Sequence, residues 1–260
     1  MTHPSIDALD HCWTSIEQLL EGLTPEQWAT QSLCPEWDVS ATVIHLIAVE
    51  EMLLGQPPAA FAERLPFERV GQASSEMMSL SPSELLDRFK RVTAERRLDL
   101  AGLDDAQMDT AVMTPVGPGT YGRFMDIRVF DHWVHEQDIR RPLGLPGHES
   151  GQAAERSIDE IRMSLPYIVG KKIGLPDKTS IRFKLRGHVT DTFTVRVDGR
   201  AGLVDDNEPV DVTVNADSTT FALLACGRIE PQTAIDEGAI SWEGDSELGD
   251  RAARSLRFTM

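Results

Sequence analysis

The feature that most constrains this chain is a change of hydrophobic period at Gly144-Leu145-Pro146-Gly147. Before it, apolar residues recur at helical spacing; after it, short runs alternate with period two. A 3.6-residue period collects apolar side chains on one face of a helix and a two-residue period collects them on one face of a strand, and neither pattern serves the other element. The chain is therefore expected to form two domains, a helical one over 1–147 and an α+β one over 148–260, and 260 residues suffice for two cores of ordinary domain size.

In the first part, Ile6, Leu9, Trp13, Ile16 and Leu20 mark an amphipathic helix from Ser5 to about Leu23, which Thr24-Pro25-Glu26 breaks. Asp38 or Ser40 can cap a second helix running to about Leu54, before Gly55 and Pro57-Pro58. A third is predicted from Ser81 or Ser83 to Leu103, with Pro82 in its first turn, a charged exposed face, and Arg96 and Arg97 toward its negative end. Thr114 to Thr120 reads as a Gly/Pro-rich loop, and a fourth helix follows from about Tyr121 to Leu143. Four helices at these intervals imply a bundle. In the second part, a helix over about 151–169 precedes strands at Ser180–Arg186, Thr192–Asp198 and Val210–Asn215, a helix at Asp217–Ala225, a short strand at Ala239–Trp242 and a last helix at Gly244–Phe258.

Charge and cysteine usage narrow the function. A formal charge of −17 disfavours nucleic acid and anionic membrane surfaces as partners, since both need a basic face. Cys12, Cys34 and Cys226 are an odd number at wide spacing, which fits a reducing cytoplasm and no disulfide framework. No run reaches the roughly 18 apolar residues of a membrane span, and the N-terminus lacks a signal-peptide pattern, so a soluble cytoplasmic protein is expected. Neither a G-x-S-x-G elbow nor a glycine-rich phosphate loop occurs.

One constellation carries chemistry. Asp131 and His135 are four residues apart in Asp131-His132-Trp133-Val134-His135, which on a helix puts them on one face with Cβ atoms roughly 6 Å apart, a spacing that chelates one ion. His45, mid-helix in Val43-Ile44-His45-Leu46-Ile47, is the natural third ligand from another helix, because an unpaired imidazole buried there is costly. The plain alternatives are a hydrogen-bonded core histidine and a half-exposed pair without metal. His132 projects about 100° away from Asp131, toward a neighbouring helix or solvent. Asp138 shares the His135 stripe and can orient that imidazole, although a surface pair with Arg140 or Arg141 is the expected role. Trp37 and Trp133 read as packing, as do Cys12 and Cys34.

Cys34-Pro35-Glu36-Trp37-Asp38-Val39 followed by Val43-Ile44-His45-Leu46, together with Arg128 to Arg140, resembles the mycothiol-dependent maleylpyruvate isomerase-like branch of the DinB superfamily. Leu223 to Arg228 and Ile240 to Asp245 resemble the sterol-carrier-like α+β domain that often follows such a bundle. The resemblance implies an up-and-down four-helix bundle with a divalent metal, usually zinc, held by His45, Asp131 and His135. It also implies a small-molecule electrophile attacked by the thiolate of a low-molecular-weight thiol, mycothiol, in a transferase or isomerase reaction. Those isomerases carry glutamate where this chain has Asp131, a carboxylate one methylene shorter. A substrate bearing carboxylates calls for a cation; Arg228, after a predicted helix of the second domain, is the first candidate for a catalytic residue, with Arg123 and Arg128 behind it. The alternatives are a noncatalytic metal- or ligand-binding module and a metal-dependent hydrolase.

Overall fold

The computed structural model describes residues 3–259. They divide into two compact units, Met1–His148 and Glu149–Met260.

The first unit runs α1 (Pro4–Glu21), α2 (Pro25–Trp28), α3 (Val39–Leu53), a 3-10 turn at Pro58–Phe61, α4 (Phe67–Met77), α5 (Pro82–Ala101), α6 (Asp105–Met108), the strands β1 (Ala111–Thr114) and β2 (Gly117–Thr120), and α7 (Tyr121–Arg140). Helices α1, α3, α5 and α7 make the four-helix bundle, in which α1 and α3 each pack against both α5 and α7. The predicted stripe of α1 is buried throughout, with Leu9, Trp13 and Ile16 fully enclosed. The caps are those the sequence allows: Asp38 Oδ1 accepts from the Ala41 N–H at 2.7 Å, and Ser81 and Glu84 form a capping box at the start of α5 with Pro82 in its first turn.

Three departures have physical causes. The expected loop over 114–120 is half of an antiparallel hairpin, Ala111 pairing with Thr120 and Thr114 with Gly117; its Gly and Pro residues hide the strand pattern. Helix α4, which packs against α3, buries only Met77; Phe67, Val70 and Met77 do recur at helical spacing, but the segment is short and lies between proline-containing stretches, where the sequence predicts no helix. Arg96, expected only as a basic residue toward the negative end of α5, is wholly enclosed.

In the second unit α8 (Gln152–Tyr167) continues into a π-helical turn at Ile168–Ile173, and β3 (Ser180–Arg186), β4 (Asp191–Asp198), β5 (Arg200–Val204) and β6 (Val212–Asp217) follow. Then come α9 (Ser218–Ala225), α10 (Pro231–Asp236), β7 (Ile240–Gly244) and α11 (Ser246–Arg254). The sheet order is β5-β4-β3-β6-β7. The meander β3-β4-β5 is antiparallel, the chain then crosses back so that β6 lies parallel to β3, and β7 closes the other edge antiparallel. Strand β5 is an exposed edge containing Gly202, which is why alternation does not reveal it. Among the described residues no helix is long and apolar enough to cross a membrane.

Candidate metal centre

Helix α7 is buried on nearly every side, and its second half encloses Arg128, His132, His135, Glu136, Gln137 and Asp138. Polar groups are buried at high cost unless each finds a partner, and here each of these residues makes at least one polar contact, although Gln137 Oε1 accepts no hydrogen bond. Glu136 accepts from Ser15 Oγ at 2.6 Å, Arg140 Nε at 2.7 Å and His148 Nδ1 at 2.6 Å. Gln137 Nε2 donates to the Gly147 carbonyl at 3.1 Å. His132 faces α1, and Arg128, Asp131 and His135 reach toward α3.

There His45, Asp131 and His135 present ligand atoms within 4.8 Å of one another. His45 Nε2 lies 3.4 Å from Asp131 Oδ2, and His135 Nε2 lies 3.7 Å from Asp131 Oδ1. Metal–ligand bonds of about 2.0–2.1 Å in a tetrahedron separate neighbouring ligand atoms by about 3.3–3.4 Å, so the two edges are close to the size an ion of that class requires. His45 Nε2 is a buried nitrogen that makes no hydrogen bond of good geometry and faces the Asp131 carboxylate at 3.4 Å, an incompletely compensated cost that a cation would remove. The donor set of two imidazoles and a carboxylate suits zinc.

The neighbours set tautomers and charge. His135 Nδ1 donates to the buried Asp138 Oδ2 at 2.9 Å, leaving the Nε2 lone pair facing the cluster. Asp138 thus sits buried beneath His135, where a surface position was expected. Trp37 lies against both imidazoles, with ring centroids 5.1 Å from His45 and 5.7 Å from His135. This half-buried indole lines the site, where the sequence predicted a packing role alone. It is held by a tight turn in which its N–H donates to the Cys34 carbonyl at 3.2 Å, while its own carbonyl accepts from Ser32 Oγ and Gln31 Nε2 at 2.8 and 2.7 Å.

Burial would raise the Asp131 carboxyl, but the Arg128 guanidinium and the imidazoles of His45 and His135 hold it well below the usual range. Arg128 Nη1 donates to Asp131 Oδ2 at 2.8 Å and Arg128 Nε to Glu50 Oε1 at 2.9 Å. Arg96 Nε donates to Glu50 Oε2 at 3.0 Å. Burial alone would raise the Glu50 carboxyl too, yet the guanidinium groups of Arg128 and Arg96 hold it below its ordinary value. His132 accepts from Trp13 Nε1 at 3.1 Å through Nε2, so its Nδ1 carries the proton and donates to the Arg128 carbonyl at 2.9 Å. Burial and the charge of Arg128 push His132 down to about 4, which keeps it neutral. It faces α1, away from the cluster.

The network behind Asp131 is what sequence reasoning missed. Glu50 sits beside Glu51 toward the end of an apolar helix, Arg96 reads as charge near the negative end of α5 and Arg128 as a candidate substrate cation, until the fold brings all three together in a buried network. A second group of potential ligands, Cys34, His135 and Asp138, shares His135; there His135 Nδ1 is already engaged by Asp138. Arg228 belongs to the second unit, in the turn after α9, where its Nη1 donates to the Cys226 carbonyl at 3.0 Å.

A four-helix bundle with a two-histidine, one-carboxylate cluster between two of its helices, followed by a small α+β domain, defines the class. Residues 9–140 match the model of the mycothiol maleylpyruvate isomerase N-terminal domain and residues 155–251 that of the MDMPI C-terminal domain. The chain belongs to the mycothiol maleylpyruvate isomerase family. Among solved structures it is similar to the mycothiol-dependent maleylpyruvate isomerase, at 12% identity over 92% of this chain and 91% of that one with a TM-score of 0.61. A histidine-to-alanine mutant of that isomerase matches over the same spans with a TM-score of 0.59. At that identity the likeness bears on the fold. No curated protein matches the chain.

Proposed function

We propose that this chain is a zinc-dependent enzyme that uses a low-molecular-weight thiol, mycothiol, to transfer to or isomerise a small electrophile. The observation carrying the reading is the buried His45 Nε2, which makes no hydrogen bond of good geometry and lies 3.4 Å from a carboxylate that also faces His135. Zinc bound by His45, Asp131 and His135 would supply Lewis acidity, lowering the pKa of a coordinated thiol so that its thiolate is available at neutral pH.

The chain's own residues prepare this. Asp138 fixes the His135 tautomer, Arg128 holds Asp131 ionised, and Trp37 shields the two imidazoles. With three protein ligands a fourth position remains for a thiol, as in catalytic rather than structural sites. Arg228 is proposed as the cation that binds a substrate carboxylate, and its test is a rise in KM with little change in kcat for Arg228→Ala.

The deciding experiment is metal content by mass spectrometry on protein purified without chelator and then reconstituted with zinc, comparing wild type with His45→Ala and His135→Ala. Near-stoichiometric zinc in wild type, lost in both variants, supports the reading. Folded wild type that binds none sinks it. Turnover by loaded enzyme that proceeds equally without added thiol would instead favour hydrolysis.

A further inference from the structure

Asp131 uses its two oxygens differently. Oδ2 accepts the 2.8 Å hydrogen bond from Arg128 Nη1 and also lies 3.4 Å from His45 Nε2, whereas Oδ1 lies 3.7 Å from His135 Nε2 and accepts no hydrogen bond. Arg128 cannot easily release its hold. It is only 4% exposed, sits one helical turn before Asp131 on the same face of α7, and is anchored at its Nε by Glu50, itself clamped by the fully enclosed Arg96. The planar guanidinium is what permits this: one edge serves Glu50 and a terminal nitrogen serves Asp131, two directions fixed in one plane.

We infer that Arg128 is a positioning residue for the metal centre: by hydrogen-bonding Asp131 Oδ2 and placing its charge beside it, Arg128 opposes chelation of an ion through both carboxylate oxygens and weakens Asp131 as a donor. This rests on the metal-centre reading above and concerns how that centre is tuned. Two consequences follow from electrostatics. A fixed positive charge beside the ligand opposes a second cation, so Arg128 lowers metal affinity. The same charge draws electron density from the carboxylate, so the bound ion stays more electron-poor and keeps a coordination position open for a thiol. Glu50 is the counterweight; by sharing the guanidinium between two carboxylates it limits Arg128's pull on Asp131.

The test uses the full-length protein, with zinc affinity from chelator competition and the visible absorption of the cobalt-substituted form as readouts. In Arg128→Gln, which can still donate hydrogen bonds but carries no charge, zinc is expected to bind about tenfold tighter. The cobalt bands should weaken as the freed carboxylate chelates through both oxygens and raises the coordination number. Arg128→Lys, which restores a charged donor, should return both readouts toward wild type. Glu50→Gln should move affinity the opposite way, about tenfold weaker, because Arg128 then leans on Asp131 alone. A general loss of structure would weaken binding in all three, so opposite signs mark the proposed role. Unchanged affinity and spectrum in Arg128→Gln overturn it while leaving the metal centre standing. If Arg128→Gln yields no folded protein, an unchanged Glu50→Gln overturns it instead. Wild type that binds neither zinc nor cobalt removes the metal centre and this inference together.

Discussion

His135 Nδ1 and Asp138 Oδ2 are 2.9 Å apart, one turn along α7, with the carboxylate completely enclosed. A carboxylate in that position locks the imidazole ring and makes its Nε2 a better donor. Asp138→Asn should therefore weaken zinc binding by roughly 10–100-fold while the protein remains folded. Chelator competition measures this, and an affinity equal to wild type would show that His135 is oriented by packing alone.

His132 links stability to pH. Its value in the folded protein is about 4, against 6.5 for an unperturbed histidine. The unfolded chain therefore binds the extra proton first, and stability falls as pH drops from 6.5 toward 4. From these two values the folded state loses about 2 kcal/mol between pH 8 and pH 5 through this one group. A cation at Asp131 would act in the same direction, since it too opposes imidazolium. Urea midpoints at the two pH values, in wild type and in His132→Gln, give the check; an equally steep decline in the variant would assign the effect elsewhere.

Glu36 has φ of 65°, in the turn closed by the Trp37 N–H on the Cys34 carbonyl. That is the left-handed region required at the third position of a type II turn, where a side chain is strained and glycine is not. Glu36→Gly should stabilise the protein by roughly 0.5–1 kcal/mol, read from the urea midpoint. Destabilisation would mean that the Glu36 side chain contributes more than its backbone strain costs.

Cysteine chemistry should be selective. Burial, followed by the charge of Glu136, raises the Cys12 thiol well above its ordinary value, and Arg128 only partly offsets this. Thiolate is the reactive form, so Cys12 should stay unmodified by iodoacetamide at pH 8, whereas the partly exposed Cys34 reacts. Peptide mass spectrometry after brief labelling decides this. Prompt labelling of Cys12 in folded protein would contradict its enclosure.

Pattern alone reveals the parts of the molecule in which neighbouring residues carry the signal. The α1 stripe, the caps at Asp38 and Ser81, the change of period near Gly144 and the strands around Phe183, Val195 and Val214 are all local, and the structure contains each. The spacing of Asp131 and His135 is local as well, because one helical turn dictates it. Strand β5 escaped because its residues are mostly exposed and leave no apolar alternation, and helix α4 because its apolar spacing rests on only three residues, Phe67, Val70 and Met77.

The rest was decided by tertiary structure. Glu50, Arg96 and Arg128 come from three helices, and no spacing in the sequence relates them; packing in the bundle makes them one buried chain of charge that ends on Asp131. Asp138 is equally compatible with a surface pair or a buried partner for His135 until the rotation of α7 turns it inward. The sequence by itself determined which elements form and which side chains one helix can offer. Which of those side chains meet, and at what charge, was settled by the fold, because contacts between distant elements depend on packing directions and desolvation that no local pattern encodes.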